Sequence, residues 1–522
     1  MLKKLHGRKL AVCLLGGAMY ALFSAFGWQA EHGGVIWAGG ALLVAALLVW
    51  PIAALLAVLL ERGYTRALRQ EKTFRAGRAF AFMLACYVPM FCVAFPGSFA
   101  YDVPYQLRQV VTGAYSTHHP LLHTLALGGL LQLGRALGDI NLGAALYTAL
   151  QMALLAGCFA LTCGSIARQS GARAAKRAAV FFALYPLNMV MAVNATKDVL
   201  FGGFFALTLA LLNEMQGRPS RGLTLKIAAC GALAVMLRNN MAYAALVWLA
   251  LVTIGLRKGE KSAALAMLLA LAVGLCGNAA LKRATRAESG DMSEMLSWPI
   301  QQLARARLYD EDRLTDAEKE AIDELMPGEA WACYDPTISD PVKFEFDTQA
   351  FRADVKKYVG VWLSVGKKCA GTYLDATMAL TYPFFYPYRE YRVSGYYVQM
   401  GMSDAYDAGW CDFDPPESRS LFPRVLASLS WRFGAKGAMQ IPVVGWLFNM
   451  GVIVWTMLFF ALREMYWGRW RRFGTALLPV LLWGTFLLGP VMAGRYIYPF
   501  VCALPVLAAR PGRSVKEAAR HG

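Results

Sequence analysis

The chain has 522 residues, 57% of them hydrophobic and 16% charged, with a formal net charge of +18. Ordinary soluble domains carry roughly 25% charged residues, so a soluble globular protein is excluded, as is a disordered chain. The positive charge falls mainly in short links between apolar runs, as in cytoplasmic loops that retain Lys and Arg, rather than on a nucleic-acid-binding surface; anionic membrane lipids are its expected counter-charge.

The N-terminal MLKKLHGRK precedes an apolar run with no small-residue cleavage site, which predicts an uncleaved first span. Apolar runs long enough for a hydrocarbon core about 30 Å thick predict spans near 10–28, 35–60, 79–95, 141–166, 178–194, 199–215, 225–237, 241–256, 263–281, 440–462, 474–492 and 496–509. The run 121–137 is ambiguous, because it is apolar but short and contains Gln132, Arg135 and three glycines. If it crossed, the basic links at 61–78, 168–177, 216–226, 257–262 and 463–472 would face outside, against the positive-inside rule. It is therefore expected to lie along the outer interface, with both termini cytoplasmic. The expected fold is an all-α polytopic membrane protein of about 12 transmembrane helices. Residues 1–281 form an N-terminal transmembrane core with a first outer loop at 96–140. Residues 440–522 form C-terminal transmembrane helices and a basic tail.

Between them, 282–439 is expected outside. It holds 24 of the 34 acidic residues against 19 Lys and Arg. Its first half has helical charge patterning with a stop at Pro327-Gly328. Its second half mixes aromatic and basic residues as a headgroup-level surface does, predicting helices that lie over the outer leaflet. Of the eleven cysteines, most lie in apolar runs and act as small hydrophobes. Only Cys333, Cys369 and Cys411 lie in the outer region, and the sequence does not choose a disulfide among them.

Polar residues interrupt the apolar chain at four places that this topology brings to the outer face. The first is the stretch Phe95 to His123, with Asp102, Gln106, Arg108, His118, His119 and His123. The others are Asn194-Ala195-Thr196-Lys197-Asp198, Arg238-Asn239-Asn240 and Gly494-Arg495-Tyr496. Ionisable groups at membrane depth are costly and by default mark a functional site. Simpler roles exist for each. Asp102 would serve as a helix cap, Lys197-Asp198 as a local ion pair at a helix start, His119 as a cap ahead of Pro120, and Arg238 and Arg495 as snorkelling side chains. The i,i+4 pair His119 and His123 would reach a divalent metal with Asp102. Without an HExxH or an acidic cluster that reading is disfavoured, and no cofactor is demanded. Asn194-Ala-Thr has the glycosylation pattern, but the turn is too short to present it.

The combination PG…YD…Q…G…HHP, a Lys-Asp pair at the outer end of a later span and a late Arg-Tyr-x-x-Pro (Arg495, Tyr496, Pro499) resembles membrane glycosyltransferases of the GT-C class. These include the protein O-mannosyltransferases and the lipid A aminoarabinose transferase. The YD…HHP block with KKCAGTYLDATMALTYPFFYP looks closer still to an uncharacterised bacterial family of GT-C-like membrane proteins. The resemblance covers the membrane core, 80–280 and 440–510. It implies a bacterial plasma-membrane transferase that moves a sugar from a polyprenyl-phosphate donor to an extracytoplasmic acceptor, with Asp102 activating the acceptor. By the same resemblance Lys197, Asp198 and Arg495 contact the lipid phosphate and organise the site. Such patterns often carry two adjacent acids where this chain has Asp102-Val103, which favours a single general base over a metal pair.

The residue chemistry agrees. Lys197, Arg238, Arg495 or Arg108 would stabilise charge growing on a phosphate leaving group. Asp102 would accept the acceptor proton, and Tyr101, Gln106, His118, His119 and Tyr496 would bind substrate. No second carboxylate is placed as a nucleophile, so direct attack would invert the sugar. Beside a structural or scaffold membrane protein, for which the polar convergence would be accidental, two other readings stay open. One is a transporter or flippase of lipid-linked precursors, against which stands the lack of visible repeats. The other is an O-antigen-ligase-like or polymerase enzyme using a diphosphate-linked glycan, for which Arg389 and Arg392 are the nearby arginine pair.

Overall fold

The computed structural model describes residues 5–32, 39–62, 73–254, 261–387, 400–402, 415–434 and 443–510. Among these residues the chain is helical throughout, with isolated bridges in place of strands. The first helices are α1 (Arg8–His32), α2 (Gly39–Arg62) and α3 (Ala76–Val93), then two short helices, α4 (Val103–Thr112) and α5 (Leu121–Ala136). Next come α6 (Ile140–Ser170), α7 (Ala172–Leu184), α8 (Pro186–Ala192), α9 (Lys197–Gly217), α10 (Arg221–Leu237), α11 (Asn239–Ile254) and α12 (Lys261–Thr285). Six described helices, including α1, α3, α6, α9 and α12, are long and apolar enough to cross a membrane. The chain is therefore read as a membrane protein. Large side chains such as Leu47, Leu150, Leu161 and Leu268 are exposed along these helices, as a lipid-facing surface requires.

Helix α9 is the central post. Phe201, Phe205, Leu209 and Leu212 are fully buried, and it packs against α6, α10 and the last helix. Gly202 lets that last helix approach closely, since a Cβ there would lie 2.9 Å from Cys502 Sγ. Pro186 separates α7 from α8, because it offers no N–H and holds Tyr185 extended at φ −66°, ψ 122°.

Two ends of the bundle are distinguishable. At one end Lys9 Nζ meets Glu61 Oε1 at 2.6 Å, Arg168 pairs with Glu214, and Gln216 donates to the Arg471 carbonyl at 2.8 Å. At the other, Ala195 N donates to Ser98 O at 2.8 Å and Ser98 N to Val193 O at 2.9 Å, fixing the loop after α3 onto the turn before α9.

The acidic region forms its own small core from α13 (Ser297–Tyr309), α14 (Asp316–Leu325), α15 (Asp340–Phe344), α16 (Thr348–Ala353), α17 (Val355–Lys368) and α18 (Ala370–Thr381). Ile300, Leu303, Ile322, Leu325 and Val365 fill it. This core stands over the Asp102 end: Ser339 N donates to Pro490 O at 2.8 Å, and Thr117 N to Glu288 O at 2.9 Å. The remaining described helices are α19 (Pro423–Gly434), α20 (Met450–Tyr466), α21 (Trp470–Phe486) and α22 (Tyr498–Ala508). The helix stop anticipated at Pro327-Gly328 is present, since α14 ends at Leu325 and Gly328 sits at φ +64°. Cys333 and Cys369 are free thiols, so those two do not pair; Cys411, Arg389 and Arg392 lie outside the described residues.

Candidate functional site

Asp102 ends the loop that begins at Phe95. Tyr101 ahead of it has φ +56°, a left-handed conformation uncommon for a residue with a side chain. This turn starts α4 with Asp102 at its N-cap position, yet the Asp102 side chain makes no capping bond. Its carboxylate instead bridges two cations from distant helices. Lys197 Nζ, at the first position of α9, donates to Oδ2 at 2.7 Å, and Arg495 Nη2 donates to Oδ1 at 3.1 Å. His119 Nδ1 stands 3.7 Å from the same Oδ2 and 3.5 Å from Lys197 Nζ.

A second carboxylate lies behind the first. Asp198 is completely buried and is hydrogen-bonded by Arg238 Nη1 and by Thr196 Oγ1 at 3.2 Å, with Arg495 Nε 3.6 Å away. Arg238 reaches it because α10 ends in an extended residue, φ −154°, ψ 117°, before α11 begins. Both guanidinium groups also lie on aromatic rings. Arg238 is 4.4 Å from the Phe486 ring centre and 4.5 Å from that of Tyr496, and Arg495 is 4.5 Å from that of Tyr101. Such stacking supports a desolvated cation.

The charges do not cancel. Among the described residues Lys197, Arg238 and Arg495 face Asp102 and Asp198, an excess of one positive charge. The buried Arg238 Nε and Arg495 Nη1 have no hydrogen-bond acceptor among the described residues. Burial alone would raise the Asp102 carboxyl, but Arg495 and Lys197 beside it hold it well below the ordinary carboxylate range. Burial pushes the His119 imidazole well below its usual value; Asp102 opposes this and Lys197 adds to it, so the ring is neutral at pH 7. The arrangement suits an anion, since buried cations with free donors bind phosphate oxygens strongly.

The structure thus gathers Asp102, Tyr101, His119, Lys197, Asp198, Arg238, Arg495 and Tyr496 at one place. The remaining candidates lie elsewhere. Arg108 is exposed on α4, on the face turned away from Gln106. His118 is half-exposed against Glu294, 3.9 Å away, although its ring lies 4.5 Å from that of His119. Gln106 is buried in a separate hydrogen-bonded chain with His123 and Thr124. His123 is therefore turned away from Asp102, and among the described residues no three His, Cys, Asp or Glu groups converge as metal ligands. Asn194 is buried, donating to Val190 O, and cannot carry a glycan.

That second chain was missed in the sequence. Gln151 Nε2 donates to both Ala192 O and Asn194 O, so its oxygen accepts from Tyr147 Oη at 3.0 Å. Tyr147 Oη then accepts from His123 Nε2 at 2.8 Å, which leaves His123 Nδ1 to accept from Gln106 Nε2 at 3.0 Å. The polar pair Tyr147 and Gln151, at i,i+4 on an otherwise apolar helix, is the signal that would have found it.

No curated protein and no solved structure matches the chain. Residues 109–521 match a family of unknown function, DUF6020, a stretch that holds Lys197, Asp198, Arg238 and Arg495 and begins just after Asp102. With most of its length matched, the chain belongs to that DUF6020 family.

Proposed function

We propose that this protein is a GT-C-like membrane glycosyltransferase that moves a sugar from a polyprenyl-phosphate donor to an extracytoplasmic acceptor. The observation that carries this reading is the cluster of Asp102, Lys197, Asp198, Arg238 and Arg495, drawn from separate segments and holding one excess positive charge beside a partly accessible carboxylate. In the proposed reaction the acceptor hydroxyl oxygen bonds to the sugar C1 while the C1–O bond to phosphate breaks. The electron pair of that bond goes to the phosphate oxygen, where Lys197, Arg495 and Arg238 stabilise it. The hydroxyl proton passes to Asp102. Attack opposite the leaving group inverts the sugar.

The length of α6 supports a site at one boundary of the hydrocarbon core. With it goes the proposal that this boundary is the outer one, the membrane being crossed about twelve times with both chain ends cytoplasmic, where six described helices are long enough to cross. Gln151 of α6 meets the Asn194 carbonyl beside the cluster. The stretch of α6 from there to Ser170 is ~29 Å long at 1.5 Å per residue, one hydrocarbon core of about 30 Å. Basic residues Arg168, Arg218, Arg469 and Arg472 lie at the far end, as cytoplasmic ends do. A polyprenyl phosphate has its phosphate at this outer level and its chain in the bilayer.

The test replaces Asp102 by Asn and compares lipid-linked sugars and outer-surface glycans of cells carrying either form at equal protein level. Accumulation of the donor with loss of one product is expected. Unchanged products would remove Asp102 from the mechanism.

A further inference from the structure

The Asp102 carboxylate does two incompatible things in the reading above. Held by Lys197 and Arg495 it is a poor base, and it also occupies the two cations that a donor phosphate needs. Its geometry resolves the conflict. Each carboxylate oxygen serves one cation, Oδ2 at 2.7 Å from Lys197 Nζ and Oδ1 at 3.1 Å from Arg495 Nη2, so the group spans them as two oxygens of a phosphate would.

The two carboxylates of the cluster differ in how firmly they are held. Asp198 has no exposed side-chain surface and is fixed by Arg238 and Thr196. The Asp102 side chain is 20% exposed, makes no capping bond to α4 and follows a left-handed residue in a loop. Asp102 is thus the carboxylate able to leave. Where it would go is also occupied suitably, because the neutral His119 ring already stands 3.7 Å from Oδ2. Arg495 Nη1, buried and without an acceptor among the described residues, supplies a further donor to an incoming anion.

We propose that Asp102 is a placeholder: in the empty site its carboxylate sits in the phosphate seat between Lys197 and Arg495, and the arriving phosphodiester displaces it toward His119. The exchange rests on the transferase reading and adds a control to it, since the base is released only when the donor is seated. It also sets the charge of the donor. The cluster carries one net positive charge with both aspartates ionised. A phosphodiester monoanion neutralises it, whereas a diphosphate linkage would leave the desolvated site negative.

The test measures binding of methyl farnesyl phosphate, a phosphodiester monoanion, to the full-length protein in nanodiscs by titration calorimetry, with wild type, D102N and K197Q. A placeholder competes with the ligand, so D102N binds this phosphodiester at least ~10-fold tighter than wild type, and K197Q binds it more weakly. D102S, which also removes the carboxylate, moves the same way and serves if D102N does not fold. Wild-type binding with equal or weaker binding by folded D102N and D102S would overturn the exchange while leaving the phosphate site intact. No binding by wild type or by either Asp102 variant would overturn the transferase reading, and the exchange with it.

Discussion

Lys197 and Asp198 are neighbours in the chain, yet they serve opposite partners. Lys197 Nζ holds Asp102 at 2.7 Å, while the carboxylate of Asp198 is turned inward to Arg238 and Arg495. At the start of a helix successive side chains point about 100° apart, so one residue faces the loop of Asp102 and the next faces the bundle. One dipeptide thereby ties together the loop of Asp102, the end of α10 and the approach to α22.

Asp198 is the more structural of the pair. Removing its charge leaves the buried Arg238 guanidinium without its carboxylate, beside an Arg495 that keeps only Asp102. Breaking a buried pair in this way costs about 3–5 kcal/mol. Asp198→Asn is therefore expected to lower the unfolding temperature of the detergent-solubilised protein markedly, and Arg238→Met in the same chain to restore part of it. A D198N protein as stable as wild type would show that the ion pairs contribute nothing to the fold.

What could be read in advance follows from this geometry. Asp102, Lys197, Arg238 and Arg495 stand out as charges in apolar sequence, and their common side follows from alternating basic links. Their pairing does not. It depends on Ser98 lying against the Asn194 turn and on the left-handed Tyr101, both features of the folded loop that bring Asp102 to Lys197. Arg108 and Gln106 illustrate the same limit. They sit two residues apart on a helix, so one is buried against His123 and the other exposed, and no property of the two side chains alone decides which faces the site. The break at Tyr185–Pro186, by contrast, is dictated locally by proline.

The chain from Gln106 through His123 and Tyr147 to Gln151 fixes α4, α5 and α6 to the turn that precedes Lys197. Every donor has one acceptor in it only if His123 is the neutral Nε2–H tautomer. Burial takes the His123 imidazole down to about 3, so it does not protonate between pH 5 and 8. Selectively ¹⁵N-labelled histidine should show one imidazole fixed as this tautomer across that range, lost in His123→Gln. Replacing His123 by Phe leaves Gln106 and Tyr147 short of a partner and is expected to cost about 1–3 kcal/mol. An imidazole that titrates near pH 6.5 in place of the fixed signal would contradict the assignment.

The acidic region has its own acid sensitivity. Glu318 closes the capping box of α14: Thr315 N donates to its Oε2 at 2.8 Å, and Glu318 N donates to Thr315 Oγ1 at 3.3 Å. Ser364 Oγ and Lys368 Nζ, both at 2.7 Å, bring α17 onto the same carboxylate. Burial by itself would raise this carboxyl, but Lys368, the Thr315 N–H and Ser364 outweigh it and bring it down to about 2. Its value in the unfolded chain is about 4.3. A depressed carboxylate contributes stability that is complete above the unfolded value and disappears as pH falls toward the folded one. Between roughly pH 4.5 and 2.5 the wild-type melting temperature should therefore fall more steeply than that of Glu318→Gln. Parallel curves would show that this carboxylate is not clamped in the folded protein.

The orientation of the whole bundle is open to chemical labelling, because the two ends carry different handles. Cys333 is exposed within the region that stands over Asp102. Arg218, exposed at the end of α9, lies among the basic residues of the opposite end. In a chain with Cys411 replaced by Ser, an impermeant maleimide should label Cys333 in intact spheroplasts. In a Cys333→Ser, Cys411→Ser background, Arg218→Cys should react only after the membrane is opened. Cys276, exposed on the side of α12, is a test of depth as well as side. A thiol facing lipid is slow to form the thiolate that reacts, so it should resist the aqueous reagent in both preparations and yield to a membrane-soluble one. Labelling of Arg218→Cys from outside, with Cys333 protected, would invert the topology and place the Asp102 cluster at the cytoplasmic surface.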